Sequence, residues 1–178
     1  WNEIPVQNYQ NFYRLLNYGN DIVGGTLSRG IMRSTDLGNS FHPSNQGLDA
    51  AVTTVLTIGN GEILAGCNYM GMYKYDQSQE IWDSTIYSPV QYDLNDIAVN
   101  GDKLFVVRDF GEVARSDDGG LNWVDVTPGD PFGSSDFDKL TLDGNTLYAA
   151  GVDILGVGTS PLHKTIDLGQ NWTPVTIQ

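Results

Sequence analysis

Short apolar segments bounded by turn residues recur along the whole chain. The segments NDIVGGT, GEILAGC, DKLFVVR and NTLYAAG each follow a turn pair, at Gly19-Asn20, Asn60-Gly61, Asn100-Gly101 and Gly144-Asn145. Such pairs tolerate the positive φ angles that tight hairpin turns demand. A second apolar run precedes each turn, and a third short one follows the segment, as in GMYKY and GEVAR. No apolar stripe of helical period has a useful length, so the pattern predicts an all-β chain without helices.

A turn motif of the form Ser/Thr-x-Asp-x-Gly-x-x-aromatic recurs with the same period. The good copies are RSTDLGNSF, RSDDGGLNW and KTIDLGQNW, whereas KYDQSQEIW keeps only its tryptophan. Phe41, Trp82 and Trp123 are 41 residues apart, Trp172 follows after 49, and Trp1 lies 40 residues before Phe41. The motif residues are Ser34, Asp36, Gly38 and Phe41, then Trp82, then Ser116, Asp118, Gly120 and Trp123, and finally Thr165, Asp167, Gly169 and Trp172.

Each repeat therefore holds four short strands, a to d, with the motif in the c–d turn. The repeats cover approximately residues 7–48, 49–89, 90–130 and 131–178. Four-stranded units of about 40 residues are typical of β-propellers, so the sequence predicts one partial propeller domain, an arc of about four antiparallel blades. Residues 1–6 read as the last strand of a preceding blade. We therefore expect the arc to be part of a larger propeller or to be completed by other copies of the chain.

The motif resembles the Asp-box, or BNR, repeat of sialidases, sortilin-type receptors, xyloglucan-degrading glycosidases and photosystem II assembly factors. The resemblance covers nearly the whole chain, and three of its motifs match well. It implies a β-propeller whose boxes lie in the c–d turns, away from any active site. Because this family contains both enzymes and binding proteins, the resemblance implies no single activity. Together with the acidic composition and the low cysteine content, it favours an extracellular, secreted or cell-surface location.

The residue types of the motif indicate a structural role. Asp118 can accept backbone N–H groups across the turn, and the Ser116 hydroxyl can add a second contact. Gly120 supplies a positive φ, and Trp123 can begin strand d and cover the hairpin with its apolar face. If Asp117 and Asp118 were paired catalytic carboxylates, the equivalent aspartates of the other boxes would need the same task on separate blades. The structural interpretation is therefore favoured.

Charge and composition exclude several classes of partner and cofactor. Nine Lys and Arg against 22 Asp and Glu give a formal charge of −13, which opposes nucleic acid. There is no apolar run of about 18 residues, so no membrane insertion is expected. Cys67 is the single cysteine, which excludes an internal disulfide framework and any multi-cysteine metal site, and its small neighbours fit a buried strand. The two histidines, His42 and His163, read as strand residues, and the acidic loops lack calcium-loop spacing, so no metal or cofactor is predicted.

Enzyme and binding functions both remain open. No arginine lies in a sialidase-type motif, and Asp109, Asp136, Asp138 and Asp153 are available as glycosidase carboxylates, but nothing in the sequence pairs them. The favoured hypothesis is a non-catalytic scaffold or binding module whose loops recognise a protein or a carbohydrate. The alternative is a fragment of a sialidase-like or xyloglucanase-like glycoside hydrolase whose catalytic residues lie outside these positions. A purely structural role is a third possibility.

Loop lengths locate the expected binding surface. The distance from the strand b anchor to the box is 12 residues in the first three repeats and 18 in the fourth, and the d–a loop before the fourth repeat is also longer. In an antiparallel blade the b–c and d–a loops lie at the same end, opposite the boxes, and insertions at one end commonly mark a binding surface. The expected binding residues are Arg29, Tyr69, Met70, Arg108, Asp109, Phe110, Asp153 and Ile154.

Overall fold

A computed structural model describes residues 11–84, 93–129, 135–153 and 162–176. Within these ranges the protein forms four four-stranded antiparallel sheets, and each sheet follows chain order. The all-β prediction is confirmed, with one departure: Asp109–Gly111 forms a single 3-10 turn where the sequence predicts no helix of any kind. In the part of the chain that is described, no helix is long and apolar enough to cross a bilayer.

The strands of each sheet, hereafter blades 1 to 4, come from consecutive sequence. Blade 1 contains β1 (Phe12–Tyr18), β2 (Asp21–Thr26), β3 (Ile31–Ser34) and β4 (His42–Pro43). Blade 2 contains β5 (Thr53–Gly59), β6 (Glu62–Cys67), β7 (Gly71–Asp76) and β8 (Ile81–Ser84). Blade 3 contains β9 (Leu94–Asn100), β10 (Lys103–Arg108), β11 (Val113–Ser116) and β12 (Val124–Asp125). Blade 4 contains β13 (Ser135–Asp143), β14 (Thr146–Asp153), β15 (Leu162–Thr165) and β16 (Thr173–Pro174).

Two-residue turns join strands a and b. Blades 1, 2 and 4 use the predicted pairs, whereas in blade 3 Asn100 pairs with Lys103 and the turn is Gly101-Asp102, one residue later than predicted. In blade 2, Gly59 pairs with Glu62 and the turn is Asn60-Gly61. Both turn residues have positive φ, 52° and 82°, which is the conformation that lets a two-residue hairpin follow the twist of its strands. The turn sequence therefore fixes the register of this hairpin.

Strand a of every blade carries a β-bulge near its beginning. One residue of strand a is left out of the ladder with strand b in each blade, and these residues are Tyr13, Thr54, Asn95 and Asp138. A bulge bends its strand and increases the local twist. The four bulges lie at the end of the blades where the b–c turns also lie, and nothing in the hydrophobic pattern predicts them.

The described chain packs as two compact units, Trp1–Asp93 and Leu94–Gln178. In the first unit, apolar side chains of blades 1 and 2 form one core that includes Val23, Ile31 and Tyr75. Gly25 of β2 approaches the Thr53 backbone so closely that a Cβ atom would lie 2.8 Å from its carbonyl oxygen. The glycine is therefore required for the two blades to pack.

The second unit has its own core between blades 3 and 4. It includes Phe105 and Phe137, both almost completely buried, and Trp172 packs against its edge. His163 is buried in the same unit, with its ring 5.3 Å from that of Phe137 in an edge-on arrangement. This histidine therefore lies within the packed blade and not on its surface.

Candidate functional site

The c–d turn of blade 3 is closed by two side chains. The buried Ser116 Oγ accepts the Gly120 N–H at 2.8 Å and donates to Asp118 Oδ1 at 2.8 Å. Asp118 Oδ1 accepts the Asn122 backbone N–H at 2.8 Å, and Oδ2 accepts the Asn122 side-chain amide at 2.7 Å. Gly120 has a φ of 100°. The hydroxyl and the carboxylate thus satisfy turn N–H groups that no strand partner reaches.

Blades 1 and 4 repeat this geometry residue by residue. The Gly38 and Gly169 N–H groups donate to Ser34 Oγ and Thr165 Oγ1 at 2.8 and 3.0 Å. Asp36 and Asp167 each accept the backbone N–H four residues on, at 2.9 Å. We call these three turns the Ser/Thr-Asp turns.

These hydrogen bonds keep the turn carboxylates ionised. Side-chain donors first, and backbone N–H groups second, lower the pKa values of Asp36, Asp118 and Asp167 from 3.8 to about 2. A carboxyl group with so low a pKa holds no proton near neutral pH and makes a poor general acid. The chemistry of the turns therefore suits a structural role.

The c–d turn of blade 2 uses a different aspartate. The sequence assigns only Trp82 to this worn motif, but Asp76 Oδ1 accepts the Ser78 N–H at 2.8 Å and the Gln79 N–H at 3.2 Å. Because Asp76 pairs directly with Ile81, the turn has only four residues. A shorter turn thus replaces the missing Ser and Gly while keeping a carboxylate cap.

The motif aromatics have more varied roles than covering their own hairpin. Trp123 immediately precedes β12, and its Nε1 donates to Gly120 O within the same turn at 3.0 Å. Trp82 and Trp172 instead donate to carbonyls of the preceding blade in their unit, Ser44 O at 2.8 Å and Val126 O at 2.7 Å. These two tryptophans therefore join neighbouring blades by a hydrogen bond. Phe41 packs on Phe12 of its own blade, with ring centroids 5.2 Å apart.

Two arginines that precede the turns also connect blades within a unit. Arg33 donates to Asp21 through Nε at 2.8 Å and to the Tyr75 hydroxyl of blade 2 at 2.7 Å. Arg115 donates to Leu168 O of blade 4 at 2.6 Å. Their positions in sequence place both on strand c but do not identify these partners on the neighbouring blade. A basic residue directly before the turn motif is the signal that identifies them.

The predicted binding residues lie on the b–c turns, as the strand order requires. Arg29 is on the turn of blade 1, Tyr69 and Met70 on that of blade 2, and Asp109 and Phe110 on that of blade 3. Tyr69, Met70 and Phe110 are 61%, 43% and 79% exposed.

Arg108, Asp153 and Ile154 complete the predicted set of binding residues. Arg108 is largely buried and forms an ion pair with Glu112 at 2.7 Å. Asp153 ends β14, and Ile154 lies outside the described residues. Arg108 therefore offers little of its guanidinium group to a partner.

Tyr69 and Phe110 share an unusual backbone conformation. Their φ angles are +56° and +65°, in the left-handed region that costs a residue with a Cβ about 1–2 kcal/mol. The two positions are 41 residues apart, which is the repeat period, so they are equivalent positions on successive blades. Each of the two compact units thus has an exposed aromatic residue at the tip of a b–c turn, and the backbone of that residue is in an energetically costly conformation.

Two cavities lie in the first unit. A cavity of about 280 Å³ is lined by Arg33, His42 and Glu80 among others. A cavity of about 480 Å³ is lined by Tyr18, Lys74 and several carboxylates beside the a–b and c–d turns. Neither contains a residue that the sequence predicts for binding. Among the described residues, no group of three or more His, Cys, Asp or Glu side chains is placed to hold a metal ion.

Comparison with known proteins identifies the fold. No family model and no curated protein matches the chain. The GH74 xyloglucanase of Xanthomonas campestris matches with a TM-score of 0.71 and 15% identity, over 89% of this chain and 28% of that one. A structure of YCF48 bound to D1 peptide matches with a TM-score of 0.67 and 22% identity, over 97% and 57%. YCF48 from Cyanidioschyzon merolae matches with a TM-score of 0.70 and 11% identity, over 100% and 60%.

These similarities define the structural class. The neighbours are β-propellers, and the chain spans less than two thirds of the length of each of the three. Together with the four four-stranded sheets, they show that the chain is made of β-propeller blades. At such low identity they show the fold alone, because propellers of one architecture carry unrelated functions.

Proposed function

We propose that this chain is a non-catalytic β-propeller scaffold that binds a protein partner through the b–c turns of its blades. The observation that carries the proposal is the pair of exposed aromatic residues, Tyr69 and Phe110, in the left-handed conformation. Strained backbone persists where the surrounding structure holds it, and such residues concentrate at sites of function. Exposed tyrosine and phenylalanine supply large contact areas with few rotatable bonds, which suits recognition of a protein surface.

Two further points support a binding role. One structural neighbour, YCF48, is seen bound to D1 peptide, so a related fold accommodates a peptide in that protein. In this chain the carboxylates of the Ser/Thr-Asp turns are occupied by turn N–H groups. We assign these turns as Asp-boxes that hold the hairpins together and leave recognition to the opposite end of the blades.

Selection of peptide ligands tests this function. Peptides selected from a random phage-displayed library against the immobilised protein are expected to lose binding with Tyr69→Ser or Phe110→Ser. Leu37→Ser is a matched control, because Leu37 is 78% exposed with a φ of 59° but lies in a Ser/Thr-Asp turn at the other end. Binding that survives both aromatic substitutions and is lost with Leu37→Ser would contradict the proposal. Far-UV circular dichroism establishes that each variant is folded.

A glycoside hydrolase fragment is the second candidate. Gly111, at the end of the 3-10 turn that begins with Asp109, lies against the backbone of Asp136 and Phe137. Two carboxylate-bearing segments thus meet in the second unit, and one structural neighbour is a xyloglucanase. This candidate would be established if the protein releases reducing sugar from xyloglucan and if the Asp109→Asn and Asp136→Asn variants do not. Our proposal expects no release from the unaltered chain.

We also propose that the protein acts outside the cytoplasm. Its charge of −13 and its single cysteine, Cys67, are compatible with an extracellular surface. Cys67 is buried, and burial raises the pKa of its thiol to about 11, so it adds no reactive group. Fractionation of cells that produce the full-length tagged protein tests the location, and recovery in the cytoplasm alone would contradict it.

A further inference from the structure

Charge is segregated between the two ends of the first unit. Its described residues carry eight carboxylates, and six of them lie at or beside the a–b and c–d turns: Asp21, Asp36, Glu62, Asp76, Glu80 and Asp83. Arg33 and Lys74 lie at this same end and are paired there, with Asp21 and Glu62. The other two described carboxylates are Asp49, which is exposed at the end that holds the b–c turns, and Asp93, which is half-buried directly before β9.

Arg29 is an exposed cation at the b–c end. Its backbone is fixed, because its N–H donates to Thr26 Oγ1 at 3.0 Å and its carbonyl accepts the Asn45 side-chain amide at 2.8 Å. Its guanidinium group, in contrast, forms no ion pair or hydrogen bond with any described residue. An arginine whose backbone is held, and whose guanidinium group has no partner within the described part of the chain, is available to an acidic partner.

Exposed apolar side chains flank this arginine. Leu27 is 41% exposed in the same turn, and Tyr69 and Met70 project from the b–c turn of blade 2. Two backbone hydrogen bonds set these turns side by side: Gly30 N–H donates to Ala51 O at 2.7 Å, and Asn68 N–H donates to Val52 O at 3.1 Å. Both turns are thereby fastened to consecutive residues of one connecting segment. We call Leu27, Arg29, Tyr69 and Met70 the Arg29 surface.

We propose that the Arg29 surface binds an extended peptide segment in which an acidic side chain lies next to a large apolar one. The guanidinium group would hold the carboxylate in a two-point hydrogen bond, while Tyr69, Met70 and Leu27 cover the apolar side chain. The inference rests on the proposed function and specifies its partner. The net charge of −13 repels a polyanion as partner. A short peptide with isolated carboxylates instead interacts mainly with Arg29, the nearest positive charge.

Fluorescence anisotropy with three labelled hexapeptides tests the proposal. The first probe alternates glutamate with leucine and phenylalanine, the second replaces every glutamate with lysine, and the third replaces every apolar residue with serine. The acidic apolar probe is expected to bind at least about tenfold more tightly than either of the others, which is the size of effect that interface anchors produce. This order opposes the net charge of the protein, since that charge alone favours the lysine probe.

Charge reversal shows whether Arg29 is responsible. Arg29→Glu is expected to weaken binding of the acidic probe by about tenfold or more, and Tyr69→Ser is expected to weaken it by a similar factor. Lys164→Glu is the matched control, because it makes the same charge change at an exposed lysine on blade 4 and should leave the affinity within about twofold. Higher salt should weaken binding of the acidic probe to the unaltered protein but not to the Arg29→Glu variant.

The outcomes separate this inference from the broader function. Equal or tighter binding of the lysine probe overturns it, as does an unchanged affinity in Arg29→Glu. If Tyr69→Ser alone weakens binding, the acidic specificity is wrong while recognition through the b–c turns stands. If no peptide probe binds and xyloglucan oligosaccharides bind in a Tyr69-dependent manner, the partner is a glycan and the proposal fails. Loss of binding in Lys164→Glu also contradicts it, because a diffuse charge effect then explains the result.

Discussion

The roles of single residues follow from the sequence where the hydrogen bonds are local. The Ser, Asp and Gly of the turn motif act within five residues, so their types and spacing suffice to predict their contacts, as Ser116 and Asp118 show. Arg33 and Arg115 act on partners 42 and 53 residues away, which no local pattern reveals. The left-handed conformation of Tyr69 was equally hidden, because tyrosine has no preference for it.

Removal of one buried hydroxyl tests the role of the turns. Ser116→Ala leaves the buried Gly120 N–H without its acceptor, which we expect to reduce the free energy of unfolding by about 1–2 kcal/mol. Ser28→Ala, at an exposed serine of a b–c turn, should change it by less than about 0.5 kcal/mol. Urea unfolding followed by tryptophan fluorescence measures both. Equal stability of the two variants would show that the hydroxyl does not hold the turn.

Whole elements are predictable to the extent that their pattern repeats. The sequence predicts strands b and c in all four blades, because turn pairs and apolar runs recur with one period. The bulges at Tyr13, Thr54, Asn95 and Asp138 have no residue type in common, so the sequence did not reveal them. They depend on how strand a must twist against strand b, which is a property of the assembled sheet.

Trp172 makes both a hydrogen bond between blades and apolar contacts, and a single substitution can remove the first while keeping the second. Trp172→Phe keeps an aromatic ring but removes the donor to Val126 O, so we expect faster hydrogen exchange of the β11 and β12 amides in blade 3. Trp123→Phe is the comparison, because its lost bond to Gly120 lies within its own turn. Exchange measured by NMR should then rise around residues 119–123 only. Identical exchange profiles for the two variants would argue against a specific link between blades 3 and 4.

At the scale of the whole molecule, the repeat determines the fold, whereas the candidate site depends on what differs between repeats. The period and the turn motif predicted four-stranded blades, and the structural neighbours agree. The position of the candidate binding residues at one end also follows from strand order. No sequence pattern indicates the segregation of charge in the first unit, because it arises only when residues distant in sequence come together at the ends of the blades.

Acid stability is a property to which all four c–d turns contribute. Asp36, Asp76, Asp118 and Asp167 have pKa values of about 2 in the folded state against an ordinary 3.8. Between pH 3.8 and about pH 2 the unfolded chain binds more protons than the folded chain. The stabilisation by these four carboxylates is therefore complete above pH 3.8 and is lost as the pH falls through about 2. Between neutral pH and the isoelectric point near 4.1, falling charge instead relieves self-repulsion. We therefore expect a stability that holds or rises down to about pH 4 and then declines steeply.

A triple variant isolates the contribution of the Ser/Thr-Asp turns to this profile. Replacing Asp36, Asp118 and Asp167 with asparagine removes three groups whose pKa values differ between the folded and unfolded states. The variant should be less stable at pH 7 and should show a shallower decline of Tm between pH 4 and pH 2. Asp49→Asn, at an exposed carboxylate outside the turns, controls for the loss of a negative charge. If differential scanning calorimetry gives the triple variant the same acid slope as the unaltered protein, the turn carboxylates do not control acid unfolding.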